Sequence, residues 1–189
     1  YVPMVPIIIF IFKKDFLHWS VWPSVILCLI GGYLLTNFQD ATVRLGDTLV
    51  ILGALFWSTH IIFTGMIIKK YNLPLTIGAI QTLLVALFSF IIGLFSEEFV
   101  IENILNEIDS ILYAGILSGG FAFVLQIYAQ RNITPAPAAI IFSLEGVFAT
   151  IAAWFLLNQI LGINNLLGCF FILSGVLVSQ LVPLIKKTP

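Results

Sequence analysis

Charged residues are scarce in this sequence. They make up 9% of its 189 residues, against 60% hydrophobic residues, and the mean hydropathy is +1.12. Since about a quarter of the residues of a soluble domain are charged, this composition excludes a soluble core. Lipid offers the backbone no hydrogen-bond partners, and no apolar run alternates with the period of a barrel strand. The sequence therefore predicts an all-α membrane protein.

Groups that carry catalysis or bind cofactors are also lacking. The two cysteines, Cys28 and Cys169, lie in apolar runs, where packing is their ordinary role. A membrane-embedded enzyme would need a nucleophile and a base in reach of each other, or clustered metal ligands. The apolar runs offer only Glu145 and two separated histidines, His18 and His60. We found no cofactor motif, no phosphate-binding glycine loop and no nucleic-acid patch. The sequence therefore predicts a protein that is not an enzyme and has no cofactor, bound metal or nucleic-acid partner.

Six apolar runs are long enough to cross a bilayer. The hydrocarbon core is ~30 Å thick and a helix rises ~1.5 Å per residue, so ~20 residues span it. The segment Val2–Phe12 is apolar but too short, and we interpret it as the last half of a further span. We therefore expect six full transmembrane helices and a partial one at the N-terminus of a fragment. The six predicted spans are Phe16–Thr36, Thr48–Ile68, Leu73–Phe95, Ser110–Gln130, Ala136–Leu157 and Asn165–Ile185.

The charges outside the spans are sorted between alternate junctions. One set of junctions receives seven of the eight basic residues, and the other receives Arg44 and most of the acidic ones. By the positive-inside rule the basic face is cytoplasmic. We therefore expect a multi-pass protein of the plasma or inner membrane, with its C-terminus inside and the loop Ser96–Asp109 outside. Apolar residues at helical spacing in that loop favour an interfacial helix.

Two parts of the chain resemble each other loosely. The segment Val5–Ile8, followed by Ile30–Leu35, resembles Glu145–Phe148, followed by Leu173–Val178. Two halves of one repeat would produce this pattern. Paired membrane repeats form substrate sites near the bilayer midplane.

Several motifs follow one another along the chain. They are Tyr1–Pro6, Gly31–Thr36, Gly46–Leu49 with Ala54–His60, and Pro137–Glu145 with the span Gly168–Gly175. In this order they resemble the motifs of EamA transporters, a family of the drug/metabolite transporter superfamily. The resemblance implies a permease with ten spans in two five-helix repeats. Residues 1–36 would end the first repeat, 37–47 would form an extracytoplasmic linker, and 48–189 would form the second repeat. This chain departs from the family pattern at Gly146, often a proline, and at Gln159, often a glutamate.

Glu145 is the one formally charged side chain within the six spans. A carboxylate near mid-membrane costs at least ~2.5 kcal/mol, so by default it marks a functional site. Two polar and aromatic stripes accompany it at helical spacing: one contains Trp57, His60 and Thr64, and the other contains Phe123, Gln126 and Gln130. The alternative interpretation is that these groups bond neighbouring helices, at ~0.6 kcal/mol each. The predicted substrate-binding residues of a central cavity are Trp57, His60, Phe123, Gln126, Ser143 and Glu145.

The sequence favours a transporter, specifically an exporter, of small organic metabolites or drugs. We expect it to work by alternating access between two repeats, and to take an aromatic or zwitterionic substrate. One alternative is a nucleotide-sugar-type carrier of the same superfamily, but no lysine or arginine lies within the spans to meet phosphate. Another is a non-transporting membrane scaffold or truncated gene product. The expected partners are the lipid bilayer and the substrate, and a homo-oligomer is left open.

Overall fold

The computed structural model describes residues 1–13, 17–36 and 45–185, and within them it contains helices and no strands. Ten α-helices and two π-helical segments follow one another along the chain. They are α1 (Met4–Ile8), a π-helical turn (Ile9–Lys13), α2 (Val21–Thr36), α3 (Leu45–Tyr71), α4 (Pro74–Ser96), α5 (Ile101–Asn106), α6 (Ile108–Leu112), a π-helical segment (Tyr113–Ala122), α7 (Phe123–Gln130), α8 (Pro135–Phe142), α9 (Leu144–Leu157) and α10 (Ile163–Ile185).

The prediction of an all-α polytopic membrane protein is confirmed. In the part of the chain that the structure describes, five helical stretches of at least 23 residues are long and apolar enough to cross a membrane. Large apolar side chains are exposed along most of their length, as expected where lipid is the solvent. The five stretches are Leu45–Tyr71, Pro74–Ser96, Ile108–Gln130, Pro135–Leu157 and Ile163–Ile185.

The first predicted span is shorter than expected. Its helix, α2, has 16 residues, or about 24 Å, and begins at Val21 rather than Phe16, which lies outside the described residues. His18 and Ser20 form a local turn, in which the histidine Nδ1 lies 2.8 Å from the serine Oγ. The amide of Val21 donates to the His18 carbonyl, so a tight turn occupies the place of the expected first helical turn.

The described residues divide into two compact units. The first comprises Tyr1–Phe63 and Ile133–Pro189, and the second comprises Thr64–Asn132. In the first unit, α2 and α10 form the most extensive helix pair, and α8 contacts both of them and α1. Glycines allow α2 and α10 to pack closely. Three of them, Gly31, Gly168 and Gly175, are buried where the two helices meet.

The second unit is built on contacts of α4 with α7 and with the π-helical segment. Gly78 of α4 is buried against α7, where an added Cβ would lie 2.9 Å from Val124 Cγ2. A hydrogen bond of 3.1 Å joins Gln81 Nε2 to Thr64 Oγ1. The loop after α4 contains the short helix α5, at the position where periodicity predicts one.

Candidate functional site

The span that carries Glu145 is interrupted one turn before the middle of its length. α8 ends at Phe142 and α9 begins at Leu144, with Ser143 between them. Across the interruption the backbone forms shorter-range bonds, because the Ser143 amide donates to the Ile140 carbonyl and the Gly146 amide to the Ser143 carbonyl. Glu145 therefore lies in the first turn of α9.

The Ser143 side chain accounts for the interruption. Its hydroxyl donates to the Ile140 carbonyl at 2.6 Å and lies 3.4 Å from the Cys28 sulfur of α2. Bonding from serine to a carbonyl one turn back competes with the helical pattern and bends helices. The same residue thus shapes the helix next to Glu145 and ties that helix to α2.

Glu145 lines a pocket in the first unit. The pocket has a volume of about 580 Å³. Its walls come from Tyr1–Pro3, from α2 between Cys28 and Thr36, from Ser143, Glu145 and Gly146, and from Ile172 of α10. The volume is in the range of small-molecule sites. Glu145 is exposed, so the carboxylate is at an open pocket rather than enclosed by protein.

Trp57 and His60 form a stacked pair on α3. Their ring centroids lie 5.0 Å apart with an interplanar angle of 25°, so the i, i+3 spacing does place both rings on one face. Between them in sequence, Ser58 is fully buried and donates to the Ala54 carbonyl at 2.7 Å. Its hydroxyl also lies 3.4 Å from the carbonyl of Tyr1, a residue that lines the Glu145 pocket.

Phe123 and Gln126 belong to the second unit. They lie on α7, whose buried face includes Ile127 and Gln130. Gln126 Nε2 is buried without a hydrogen-bond partner among the described residues, and so are both polar side-chain atoms of Gln130. The predicted stripe therefore consists of the half-buried Phe123 and Gln126 and the buried Gln130.

Two of the six predicted site residues, Ser143 and Glu145, line one pocket. Trp57 and His60 form a pair on α3 of the same unit and are not part of the pocket lining. Sequence reasoning missed Cys28, which it assigned to packing, and Tyr33, which it did not single out as a site residue. Both line the pocket, together with Gly32. For Cys28 the available signal was its spacing from Gly32, because residues four apart share a helical face.

The chain matches a transporter family and resembles several individual proteins. Residues 44–181 match the EamA-like transporter family. An uncharacterized transporter of Archaeoglobus fulgidus is 29% identical over 187 residues, which cover 96% of this chain and 58% of that protein. The uncharacterized transporter YoaV of Bacillus subtilis is 26% identical over 159 residues, which cover 81% of this chain and 52% of that protein. The protein WALLS ARE THIN 1 of Arabidopsis thaliana is 27% identical over 165 residues, covering 84% and 40%.

The chain spans about half the length of the curated relatives it matches. No solved structure gives a significant match. The family match covers well over half of the 189 residues. On this evidence the chain belongs to the EamA-like transporter family.

Proposed function

We propose that this protein carries small organic molecules across the cell membrane, as an exporter, by alternating access between two helical repeats. The observation that carries the proposal is the pocket around Glu145. An intramembrane carboxylate at an interrupted helix is typical of transporter substrate sites, where discontinuous helices place polar groups near the midplane. The pocket volume of about 580 Å³ suits a small metabolite.

We further propose that residues 1–36 end the first repeat and that 48–189 form the second. Ser143 and Glu145 bind the substrate directly in this scheme. Trp57 and His60 of the first unit provide an aromatic surface for the substrate, and Phe123 and Gln126 of the second unit stay proposed substrate-binding residues. The C-terminus is cytoplasmic, as the distribution of lysine and arginine favours. Fusing a phosphatase that is active only outside to the C-terminus should give an inactive reporter.

Export can be tested by comparing the media of cells that express the wild-type protein or Glu145→Gln. We expect the wild type to release at least one small organic metabolite that the variant retains, because the substitution removes the charge that orients it. Gly53→Ala is the matched control: Gly53 lies on α3 outside the pocket, and an added Cβ there meets nothing within 4 Å. Media that do not differ at equal expression would contradict the proposal.

A further inference from the structure

The Glu145 pocket is unbalanced in charge. Among the described residues that line it, Glu145 alone carries a formally charged side chain, and no lysine, arginine or histidine accompanies it. A charge held at membrane depth is stabilised by an opposite charge or by water. The side chains that line the pocket therefore offer Glu145 no positive partner, and a bound ligand could supply one.

The adjoining helix ends do not supply the missing positive charge. The N-terminus of a helix carries roughly +0.5 of an elementary charge, and the C-terminus carries the opposite. Ser143 keeps αR backbone angles, and α8 ends immediately before it while α9 begins immediately after it. The negative end of α8 thus abuts the positive end of α9, and the two offset each other at Glu145.

The rest of the lining suits an apolar cation. Tyr33 presents an aromatic ring on α2, and Leu29 and Ile172 provide aliphatic surface. Rings of this kind attract cations through their π faces, by roughly 0.5–2 kcal/mol. A zwitterion would leave its own carboxylate without a basic partner here.

We propose that this pocket selects organic cations, in particular amines with an apolar body, and excludes anions. The inference rests on the proposed function and names its substrate class. Glu145 binds the ammonium group, and Tyr33 acts as a specificity-determining residue that covers the apolar part.

Charge selection can be measured by thiol labelling without any transport assay. Gly32 lines the pocket, and an added Cβ there meets nothing within 4 Å. We would introduce Gly32→Cys into a Cys28→Ser, Cys169→Ser background. The protein would then be labelled with two methanethiosulfonates of similar size, one bearing trimethylammonium and the other sulfonate. The readout is the ratio of the two rates.

The reference position is Gly162, in the loop before α10, where an added Cβ also meets nothing within 4 Å. We expect the cation-to-anion rate ratio at position 32 to exceed that at position 162 by about tenfold. The Coulomb energy between two charges a few ångströms apart in a protein is large enough to change a rate by this factor. Adding Glu145→Gln should bring the ratio at position 32 down to the reference value. Glu145→Asp, which keeps the charge, should preserve the preference.

Equal ratios at the two positions would overturn the proposal. So would a preference that survives Glu145→Gln, or a Gly32→Cys variant that neither reagent labels. A protein that shows the preference but exports nothing would refute the proposed transport and leave the charge selection standing. A protein that exports metabolites without the preference would refute the charge selection alone.

Discussion

Gly31 of α2 and Gly168 of α10 contact each other reciprocally through their backbones. A Cβ on Gly31 would lie 2.6 Å from the Gly168 carbonyl oxygen, and a Cβ on Gly168 would lie 2.8 Å from the Gly31 carbonyl oxygen. Small residues allow membrane helices to approach this closely, and van der Waals packing then stabilises the pair. This contact fixes two walls of the Glu145 pocket, since Leu35 and Ile172 of the same helices line it.

We predict that Gly31→Ala lowers the free energy of unfolding by about 1–3 kcal/mol, the usual cost of overpacking. The added methyl meets backbone, so relief requires the helices to separate. Gly32→Ala is the control, because it changes the neighbouring residue of the same helix and its Cβ meets open space. Unfolding in detergent, followed by circular dichroism, measures both. Equal stabilities of the two variants would contradict the prediction.

The Gln81–Thr64 hydrogen bond offers a second stability test. Thr64 is 1% exposed, and the bond of 3.1 Å links α4 to the end of α3 within the second unit. In a double-mutant cycle of Gln81→Leu and Thr64→Val, we expect a coupling energy of about 0.6 kcal/mol and no more than about 1.7 kcal/mol. A coupling energy of zero would mean that the two side chains do not act as a pair.

Gln130 should behave in the opposite way to Gln81. It is 1% exposed, and neither its Nε2 nor its Oε1 has a hydrogen-bond partner among the described residues. A buried polar group without a partner costs about 1–3 kcal/mol. We therefore predict that Gln130→Leu raises the free energy of unfolding, whereas Gln81→Leu lowers it. A destabilised Gln130→Leu would show that the amide is satisfied, for example by a buried water molecule.

Hydropathy and length predict the fold closely where lipid alone determines the helix. α4 (Pro74–Ser96) and α10 (Ile163–Ile185) begin and end within two residues of the predicted spans. Local bonding determines the exceptions. The turn between His18 and Ser20 delays α2 until Val21, and hydropathy does not register such a turn because it contains no information on side-chain bonding.

The candidate site was predictable only in part. The single intramembrane charge points to Glu145, and helical spacing correctly places Trp57 and His60 face to face. The π-helical segment Tyr113–Ala122 could not be predicted, because hydropathy follows composition and not the hydrogen-bond register. The contact of Cys28 with Ser143 depends on how α2 packs beside α8, which spacing within one helix cannot reveal.

The last prediction concerns the contact between Ser143 and Cys28. In a Cys169→Ser background, we expect Ser143→Ala to increase the alkylation rate of Cys28 several-fold. The change removes the hydroxyl 3.4 Å from the thiol and opens space beside it. The free energy of unfolding should change by less than about 1 kcal/mol, because the Ile140 carbonyl keeps the Ser143 amide as a donor.

Ser174→Ala is the control, since Ser174 bonds only the Phe170 carbonyl of its own helix among the described contacts. If both variants left the rate unchanged, the Ser143 hydroxyl would not restrict access to Cys28, and the pocket wall at α2 would be held by the glycine contacts alone.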